Sequence, residues 1–271
     1  VRGRLDGDLP GVRVAAVGHR VVHGGERFRL PTLITDEVVA TIRELIPLAP
    51  LHNPANAAII EAARAALPDV PQVAVFDTAF FADLPPEATT YAIDRKVARA
   101  NGIRRYGFHG ISHQYVSERA AALLGRPLGE LMQIVLHLGN GASASAIDGG
   151  RPVDTSMGLT PLEGLVMGSR GGDIDPGALI HLLRNGGFDA DGLDTLLTRR
   201  SGMVGLAGTA DLRDVHAAAA QGSEDAELAL VIYARRVTRY IGAYLALLGG
   251  ADVITFTAGV GENDADIRAR A

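Results

Sequence analysis

Two arginines in this sequence have surroundings that suit anion binding. Arg20 lies just past an apolar run, between a histidine and an apolar pair, and Arg170 lies among the glycines of 168–172. A planar guanidinium matches the oxygens of a carboxylate or a phosphate, so each arginine is a candidate for holding such a ligand. A structural ion pair is the more common role of a lone arginine, and that alternative stays open for both.

His109 and Asp77 are two further side chains with chemistry suited to a ligand site. His109 lies in a loop just before a predicted helix capped by Ser112, where helix N–H groups favour anions. Asp77 follows the apolar run 73–76, and ionisable groups at strand ends of α/β proteins tend to face the ligand. A lone histidine or strand-end aspartate is more often structural than catalytic. The remaining histidines have no spacing that indicates a metal site.

Two glycine-rich segments follow predicted strands and could bring backbone N–H groups to a phosphate. Residues 137–141 read His-Leu-Gly-Asn-Gly, and residues 259–263 read Gly-Val-Gly-Glu-Asn. Glycine lets the backbone turn tightly and approach an anion closely. Neither segment is a Walker loop or a dinucleotide fingerprint, and a bend that needs glycine for shape alone is an equal alternative. Residues 211–213, Asp-Leu-Arg, are a weaker candidate, because a solvated surface pair is expected there.

The composition excludes several classes of function. The chain of 271 residues has a formal net charge of −5 and no Lys/Arg-rich run, so nucleic acid is not the expected partner. It has no run of about 18 apolar residues, so no membrane span is predicted. It has no cysteine, which excludes disulfides and thiolate metal sites and fits a reducing cytoplasm. Residue 1 is Val, which is compatible with numbering that begins inside a longer protein.

Strand patterns alternate with helix patterns along the chain, which predicts an α/β protein. Apolar runs of strand length lie at 12–17, 73–76, 134–138, 142–147, 151–153 and 253–257. Helical spacing or helix caps mark 36–46, 53–67, 94–101, 112–124 and a long segment from Ser223 to Gly249. We divide the chain into a first domain at 1–78 and a second at 79–271, with the boundary near Leu84-Pro85-Pro86.

Together, these segments resemble the acetate kinase (acetokinase) family. Similar blocks occur in the family's order at 19–26, 48–54, 76–80, 106–113, 137–141, 154–176 and 257–263. The first reads His-Arg-Val-Val-His-Gly-Gly-Glu and the second Leu-Ala-Pro-Leu-His-Asn-Pro. So many independent blocks, spread over nearly the whole chain, are far more specific than any single loop, and they outweigh the structural alternatives above.

The resemblance implies the fold shared by acetate and sugar kinases, actin and heat-shock chaperone ATPases. This is a two-domain, actin-like (ribonuclease H-like) α/β ATPase fold, whose domains close on a nucleotide. Residues 1–78 would then be part of the acyl-substrate domain, which is incomplete, and 79–271 the nucleotide-binding domain. Nothing here matches the family's opening Asn-x-Gly-Ser-Ser-Ser loop or its metal-associated glutamate near the carboxyl end. We therefore expect a fragment that lacks both ends, contains no metal ligand, and alone binds nucleotide weakly with little kinase activity.

The resemblance also implies a role for each matching residue. The family's catalytic positions correspond to Asp77, His109 and Arg170. The substrate positions correspond to Arg20 and to an apolar pocket around the acetate methyl group, formed by Val22, Leu51, Phe108 and Pro161. The nucleotide-binding positions correspond to His137, Leu138, Gly139, Asn140, Gly141, Asp211, Leu212, Arg213, Gly259, Val260, Gly261, Glu262 and Asn263.

The activity implied is reversible, direct in-line phosphoryl transfer from ATP to acetate, giving acetyl phosphate and ADP. The implied cofactor is Mg²⁺ (or Mn²⁺) with ATP or ADP as co-substrate, and the implied assembly is a cytoplasmic homodimer. Two alternatives stay open. A propionate kinase shares the same blocks and differs mainly in pocket volume. The extra methylene of propionate changes the binding free energy by only about 1–3 kcal/mol. A non-catalytic nucleotide-binding protein of the same fold would have no need of the acyl-pocket blocks.

Overall fold

A computed structural model of the chain describes residues 13–271. The first strand, β1, is Val17–Val21. The sequence predicted a strand at 12–17; Val12 lies outside the described residues, and 13–16 are not in a strand. The register gives the reason for this difference. Val17 is paired with Gln72, the first residue of the partner strand, and Pro71 precedes it, so among the described residues that strand offers no pairing partner before Val17.

The described chain forms two compact units, of which the first contains residues 13–83 and Phe108–Ile111. Its three strands are β1, β2 (Thr32–Leu33) and β3 (Gln72–Phe76), in the order β1-β3-β2, with β1 parallel and β2 antiparallel to β3. Its helices are α1 (Asp36–Glu44) and α2 (Asn53–Ala66), with short 3₁₀ turns at Ile46–Leu48 and Ala79–Phe81.

Local sequence accounts for these elements. The hydroxyl of Thr35 accepts a hydrogen bond from the Val38 N–H and caps α1, and Pro54 occupies the first turn of α2, where a missing N–H costs nothing. The core of this unit is apolar side chains from both layers: Val21, Phe28, Ile34, Val39, Ile42, Ala57, Ile60, Ala74 and Phe76. Because β1 and β3 are parallel, their carboxyl ends meet at one edge, where Arg20 and Asp77 lie.

The second unit contains residues 84–107 and Ser112–Ala271. Its sheet has the order β6-β5-β4-β7, formed by β4 (Met132–Leu138), β5 (Ala142–Asp148), β6 (Arg151–Thr155) and β7 (Val253–Thr257). β4 pairs antiparallel with β5 and parallel with β7. Central residues of β4 and β5, among them Ile134, Leu136, Ala144 and Ala146, are fully buried. The second core is therefore built around β4.

The helices from residue 84 onward were only partly predicted. The structure has α3 (Pro86–Thr89), α4 (Arg95–Ala100), α5 (Gly110–Leu124), α6 (Pro176–Asn185), α7 (Ala190–Arg199), α8 (Gly202–Ala207), α9 (Leu212–Ala220), α10 (Glu224–Leu248), α11 (Ala258–Asn263) and α12 (Ala265–Arg270), with a 3₁₀ turn at Leu128–Glu130. The predicted capping of α5 by Ser112 was wrong, since the helix begins two residues earlier, where the Gly110 N–H donates to the Asp77 carbonyl. The chain passes from the first unit to the second between Ile111 and Ser112.

In the part of the chain that the structure describes, no helix has both the length and the apolar character needed to cross a membrane. The longest, α10, has 25 residues, is capped by Ser223 and ends at Gly249, which has a φ of +75°. Its first turn is acidic, with Glu224, Asp225 and Glu227. These charges favour the positive end of the helix dipole.

Replacing Leu136 with Ala tests whether β4 is the centre of the second core. Leu136 is 0% exposed, so Leu136→Ala should lower the free energy of unfolding by about 2–5 kcal/mol, the usual cost of a large-to-small change in a core. Leu123→Ala is the matched control, because Leu123 is 89% exposed and its loss should change stability by no more than about 0.5 kcal/mol. Urea denaturation measures both, and equal effects would contradict this placement of the core.

Candidate functional site

Arg20 and Asp77 form a bidentate ion pair at the edge where β1 and β3 end. Arg20 Nε donates to Asp77 Oδ1 at 2.9 Å, and Nη2 donates to Oδ2 at 2.6 Å. The Asp77 side chain is 2% exposed, whereas that of Arg20 is 61% exposed. The hydrogen bond that Arg20 donates to Asp77 raises the pKa of Arg20 above its ordinary value, although partial burial opposes this shift. The buried carboxylate therefore fixes a charged guanidinium that still faces outward.

The backbone of Asp77 joins three segments of the first unit. Its N–H donates to the Val21 carbonyl at 3.0 Å, and its carbonyl accepts from the Gly110 N–H at 2.8 Å. A Cβ on Gly110 would collide with that same carbonyl, so the close approach requires glycine. The preceding residue, His109, has a φ of +58°. Such left-handed backbone in a residue other than glycine is strained and is concentrated at functional sites.

Two predicted acyl-pocket residues of the first unit adjoin His23: Val22 precedes it in the chain, and Phe108 contacts its ring. The Val22 N–H donates to Asn56 on α2, and the His23 N–H donates to Asn53, the first residue of that helix. The Phe108 ring packs edge-on against the His23 ring, with centroids 5.4 Å apart, and is 1% exposed. Leu51, two residues before α2, is 52% exposed. Val22 and Phe108 thus share one neighbour, while Leu51 lies at the surface close to the start of the helix.

Arg170 and Pro161, the two predicted site residues of the second unit, contact each other directly. Arg170 Nη1 donates to the Pro161 carbonyl at 2.7 Å. Arg170 is only partly exposed, and burial lowers its pKa from the ordinary value. Removing charge from water costs free energy unless the charge finds a partner. No acidic side chain forms an ion pair with Arg170 among the described residues, so an anionic ligand would supply the missing negative charge.

The loop that carries Arg170 is closed at its base by Gly164 and Asp173. The Asp173 N–H donates to the Gly164 carbonyl at 3.0 Å, and Asp173 Oδ1 accepts from the Gly164 N–H at 2.8 Å. Helix α10 holds this closure, because Arg236 donates to the Gly164 carbonyl at 2.7 Å and Tyr240 donates to the Asp173 carboxylate at 3.0 Å. Sequence analysis missed both helix residues. Their i,i+4 spacing on one face of α10 was the signal available.

Three of the predicted nucleotide-binding segments line one cavity of about 870 Å³ in the second unit. The predicted residues that line it are Gly139, Asn140, Asp211, Leu212, Arg213, Gly259, Val260 and Asn263. The β4–β5 turn and the start of α11 lie against each other, since a Cβ on Gly139 would be 3.6 Å from that of Ala258. The structure therefore brings together segments that are more than 100 residues apart in the sequence.

Asp211 and Arg213 combine a structural role with a place in the cavity wall. Asp211 caps α9 by accepting from the Arg213 N–H at 2.9 Å, and its carboxylate also accepts from the Arg213 side chain. The hydrogen bond from the Arg213 side chain lowers the pKa of Asp211 to about 2. The Arg213 side chain is 90% exposed, so the solvated pair considered from the sequence is present, at the rim of the cavity.

Five predicted nucleotide-binding residues do not line this cavity: His137, Leu138, Gly141, Gly261 and Glu262. Leu138 is fully buried, and Gly261 packs against it. Glu262 Oε1 accepts hydrogen bonds from Thr257 Oγ1 and the Ala258 N–H, both at 3.1 Å. The glycine-rich turn expected at 259–263 is instead a short helix, α11, because the chain turns earlier, at Ala258 with φ +66°, and Glu262 satisfies an N–H of the first helical turn.

The cavity also contains residues that sequence analysis did not find. His216, one helical turn after Leu212 on α9, places Nε2 2.8 Å from Asp264 Oδ2. Tyr233 on α10 is 2% exposed, and among the described residues its hydroxyl has no hydrogen-bond partner. Burial raises the pKa of Tyr233, so the group remains a neutral donor. The i,i+4 spacing of Leu212 and His216 could have indicated the histidine; nothing in the sequence marks Tyr233.

A second histidine cluster lies behind the β4–β5 turn. His113, on α5, is fully buried, with Nε2 2.7 Å from Ser143 Oγ and Nδ1 2.7 Å from Ser145 Oγ. Burial, together with the neighbouring His137, lowers the pKa of His113 to about 3. His137 Nδ1 lies 2.8 Å from Ser112 Oγ. Among residues 13–271, no group of three or more His, Asp or Glu side chains is arranged to hold a metal ion.

Comparison with known proteins agrees with this architecture. The profile of the acetokinase family matches residues 10–271. The crystal structure of Porphyromonas gingivalis acetate kinase superposes with a TM-score of 0.91 at 48% identity, covering 94% of this chain and 64% of that one. A propionate kinase from Francisella tularensis subsp. tularensis SCHU S4 superposes with a TM-score of 0.91 at 44% identity, covering 94% and 66%. The fold is therefore the two-domain actin-like α/β ATPase fold.

Sequence identity narrows this class to one family. The chain is 65% identical over 256 residues to the acetate kinase of Leifsonia xyli subsp. xyli (strain CTCB07). The aligned region covers 94% of this chain and 64% of the relative. The protein belongs to the acetokinase family, as the sequence blocks predicted. It spans a little under two thirds of the length of that relative.

The buried His113 makes stability depend on pH. Its pKa of about 3 in the folded protein is below the ordinary 6.5, so between these values the unfolded chain binds more protons. Stability that is present above about pH 6.5 is therefore lost as the pH falls. Between pH 7.5 and 5 this one group should lower the free energy of unfolding by about 2 kcal/mol.

Urea denaturation of the chain and of His113→Gln at both pH values measures this effect. The variant starts less stable but should lose about 2 kcal/mol less than the wild type on acidification, since Gln cannot titrate. Parallel losses in the two proteins would show that His113 is not the group responsible.

Proposed function

We propose that this chain belongs to an acetate kinase, which transfers a phosphoryl group reversibly from ATP to acetate and forms acetyl phosphate and ADP. The observation that supports it most strongly is the Arg20–Asp77 pair, in which a buried carboxylate holds a guanidinium that faces outward. Such a group binds a small carboxylate in a defined orientation. The acetate kinase named above, 65% identical to this chain, supports the same assignment.

The proposed reaction needs no general base. Acetic acid, like the carboxyl side chains of proteins, has a pKa well below 7, so acetate is ionised at neutral pH and its oxygen attacks without losing a proton. Arg20 orients the acetate carboxylate, and Asp77 keeps Arg20 in place. Arg170 and His109 stabilise the charge on the oxygens of the transferring phosphoryl group, which is the main requirement of phosphoryl transfer. Arg170 is partly buried and has no acidic partner among residues 13–271, which suits that role.

ATP or ADP is proposed to bind in the cavity lined by Gly139, Asp211 and Gly259. Its volume of about 870 Å³ is in the range of sites for nucleotide-sized ligands. Backbone N–H groups of the β4–β5 turn and the side chain of Asn140 are suited to the phosphates. The hydroxyl of Tyr233 and the pair formed by His216 and Asp264 provide polar groups for the remainder of the nucleotide.

Mg²⁺ (or Mn²⁺) is proposed to arrive with the nucleotide, held mainly by phosphate oxygens and water, as is usual for this ion. When bound, it would neutralise phosphate charge. The described residues offer no ready metal cluster, so the steps above are assigned to side chains of this chain alone. We further propose a cytoplasmic homodimer, which family membership supports and light scattering of the purified protein can check.

Propionate kinase is the second candidate, and the similarity to the propionate kinase of Francisella tularensis is the observation that favours it. One methylene separates the two substrates and changes binding by about 1–3 kcal/mol. The choice between them therefore depends on the volume left for the acyl chain beside residues such as Val22 and Phe108, and both substrates have to be assayed.

A chimera provides the direct test. The matched 256 residues of the Leifsonia xyli relative are replaced by the residues of this chain, and acyl phosphate is trapped as the hydroxamate. The chimera should convert ATP and acetate to acetyl phosphate. A folded chimera that makes none from acetate or propionate would overturn the proposal, and would favour a nucleotide-binding protein without catalysis if it still bound ADP.

Alanine substitutions in the chimera test the proposed arginine roles. Arg170→Ala should lower kcat by roughly 10²–10⁵, the range for lost donors in phosphoryl transfer. Arg20→Ala should lower kcat similarly and also raise the KM for acetate, because it removes the group that orients this substrate. Arg27→Ala is the control, since Arg27 is an exposed residue of the first unit that pairs with Glu44 at the surface. Turnover near that of the control in either variant would refute that role.

Val22→Ala tests the acyl pocket. If Val22 lines the pocket, its truncation should shift the preference from acetate toward propionate, since one extra methylene gains about 0.8 kcal/mol when it is buried. The ratio of the two kcat/KM values should therefore move several-fold. Val38→Ala, a change of the same size on α1, is the control and should leave the ratio unchanged. An unchanged ratio in Val22→Ala would show that Val22 does not line the pocket.

A further inference from the structure

The ring of His137 connects the helix α5 to the turn that lines the cavity. Its Nδ1 is 2.8 Å from Ser112 Oγ, on the first turn of α5. Its other ring nitrogen, Nε2, lies 3.9 Å from the position that a Cβ would occupy on Gly139. Gly139 lines the cavity. One ring nitrogen thus faces a serine hydroxyl and the other faces the proposed phosphate turn.

Helix α5, which carries Ser112, is hydrogen-bonded to two strands of the sheet, β4 and β5. Gln133 on β4 donates to the Ser117 carbonyl of α5 at 3.2 Å. Gln133 and His137 share one face of β4, since they are four residues apart on a strand. His113 bridges Ser143 and Ser145 of β5 at 2.7 Å each. These contacts leave the helix little freedom to move along the strands.

A neutral imidazole has one donor nitrogen and one acceptor nitrogen, and the partner of one nitrogen decides the state of the other. If the Ser112 hydroxyl donates to Nδ1, the proton of the ring must lie on Nε2. The N–H then points toward the Gly139 turn. With the opposite tautomer, the lone pair of Nε2 would face the same turn and would repel phosphate oxygens.

We propose that Ser112 is a positioning residue, whose hydroxyl donates to Nδ1 of His137 and keeps the ring proton on Nε2, where it donates to a nucleotide phosphate at the Gly139 turn. The inference rests on the proposed function, which places nucleotide in this cavity. His113, with its ring centroid 6.3 Å from that of His137, does not compete for Nδ1, because both of its nitrogens contact serines.

The ¹⁵N spectrum of histidine reports the tautomer directly, since a protonated and an unprotonated ring nitrogen have well separated shifts. The 271-residue chain is labelled at its 8 histidines, and His137 is assigned by the signals that disappear in His137→Gln. In the wild type, Nε2 should be protonated and Nδ1 unprotonated. Ser112→Ala should give a mixture of tautomers, while Ser112→Thr should restore the single form. Ser117→Ala, on the same helix but bonded to the Gln114 carbonyl, should leave His137 unchanged.

A proton on Nδ1 in the wild type, or the same tautomer in Ser112→Ala as in the wild type, overturns the proposal. The kinetic counterpart uses the chimera. Ser112→Ala should raise the KM for ATP roughly tenfold, the effect of weakening one hydrogen bond to a charged group, with the KM for acetate unchanged and Ser112→Thr close to wild type. An equal rise in both constants would mean general damage and would refute a positioning role.

Addition of saturating ADP to the histidine-labelled chimera separates this inference from the proposed function, since the 271-residue chain alone is expected to bind nucleotide weakly. A shift of the His137 Nε2 signal supports both. Dependence of the tautomer on Ser112, with no response of His137 to ADP, would confirm the serine contact but overturn the phosphate-donor role and, with it, the placement of the nucleotide.

Discussion

The buried carboxylate of Asp77 is the constraint on which the first unit depends. A carboxylate that is 2% exposed must be paired, because an isolated charge in that position would be far too costly. Arg20 supplies the pair through two hydrogen bonds. The backbone of the same residue joins β1 through Val21 and the His109 turn through Gly110. One residue therefore sets the position of a guanidinium, the end of a strand and a strained histidine turn.

In the second unit, the main structural requirement is that glycine-rich backbone keeps a defined conformation. Glycine gives freedom, so rigidity has to come from elsewhere. The Arg170 loop obtains it from Asp173, Arg236 and Tyr240. The β4–β5 turn obtains it from its strands and from α5, and Glu262 ties down the chain after β7. In the Arg170 loop and in the segment after β7, a polar side chain satisfies loop backbone groups, which is how a site of this kind becomes preorganised.

Sequence reasoning predicted the α/β class, the strands of the second sheet and the family, because these depend on local patterns and on contiguous blocks. It placed β1 too early, because the end of a strand depends on its partner: Pro71 and Gln72 set that limit from 55 residues away. It predicted that Ser112 caps a helix, whereas the Ser112 hydroxyl contacts His137, a contact that a local sequence pattern cannot reveal.

The candidate site shows the same division. The glycine turns and arginines were found because their residue types are unusual in their contexts. Tyr233, Arg236 and Tyr240 were missed, because each lies on a long helix whose pattern only indicates packing, and their partners are distant in sequence. The expected turn at 259–263 became α11, because the chain bends at Ala258 and Glu262 caps the helix that follows. Long-range polar contacts of this kind are set by the tertiary structure.

The central claim is that Asp77 holds Arg20 as the binding group for a small carboxylate. It is tested most directly by titrating acetate into the ¹⁵N-arginine-labelled chain and following the Arg20 Nε signal, assigned through Arg20→Lys. The account predicts a saturable shift of that signal in the wild type and none in Asp77→Asn, in which the guanidinium loses its ionic partner. An Arg20 signal that does not respond to acetate, or that responds equally in both proteins, would contradict it.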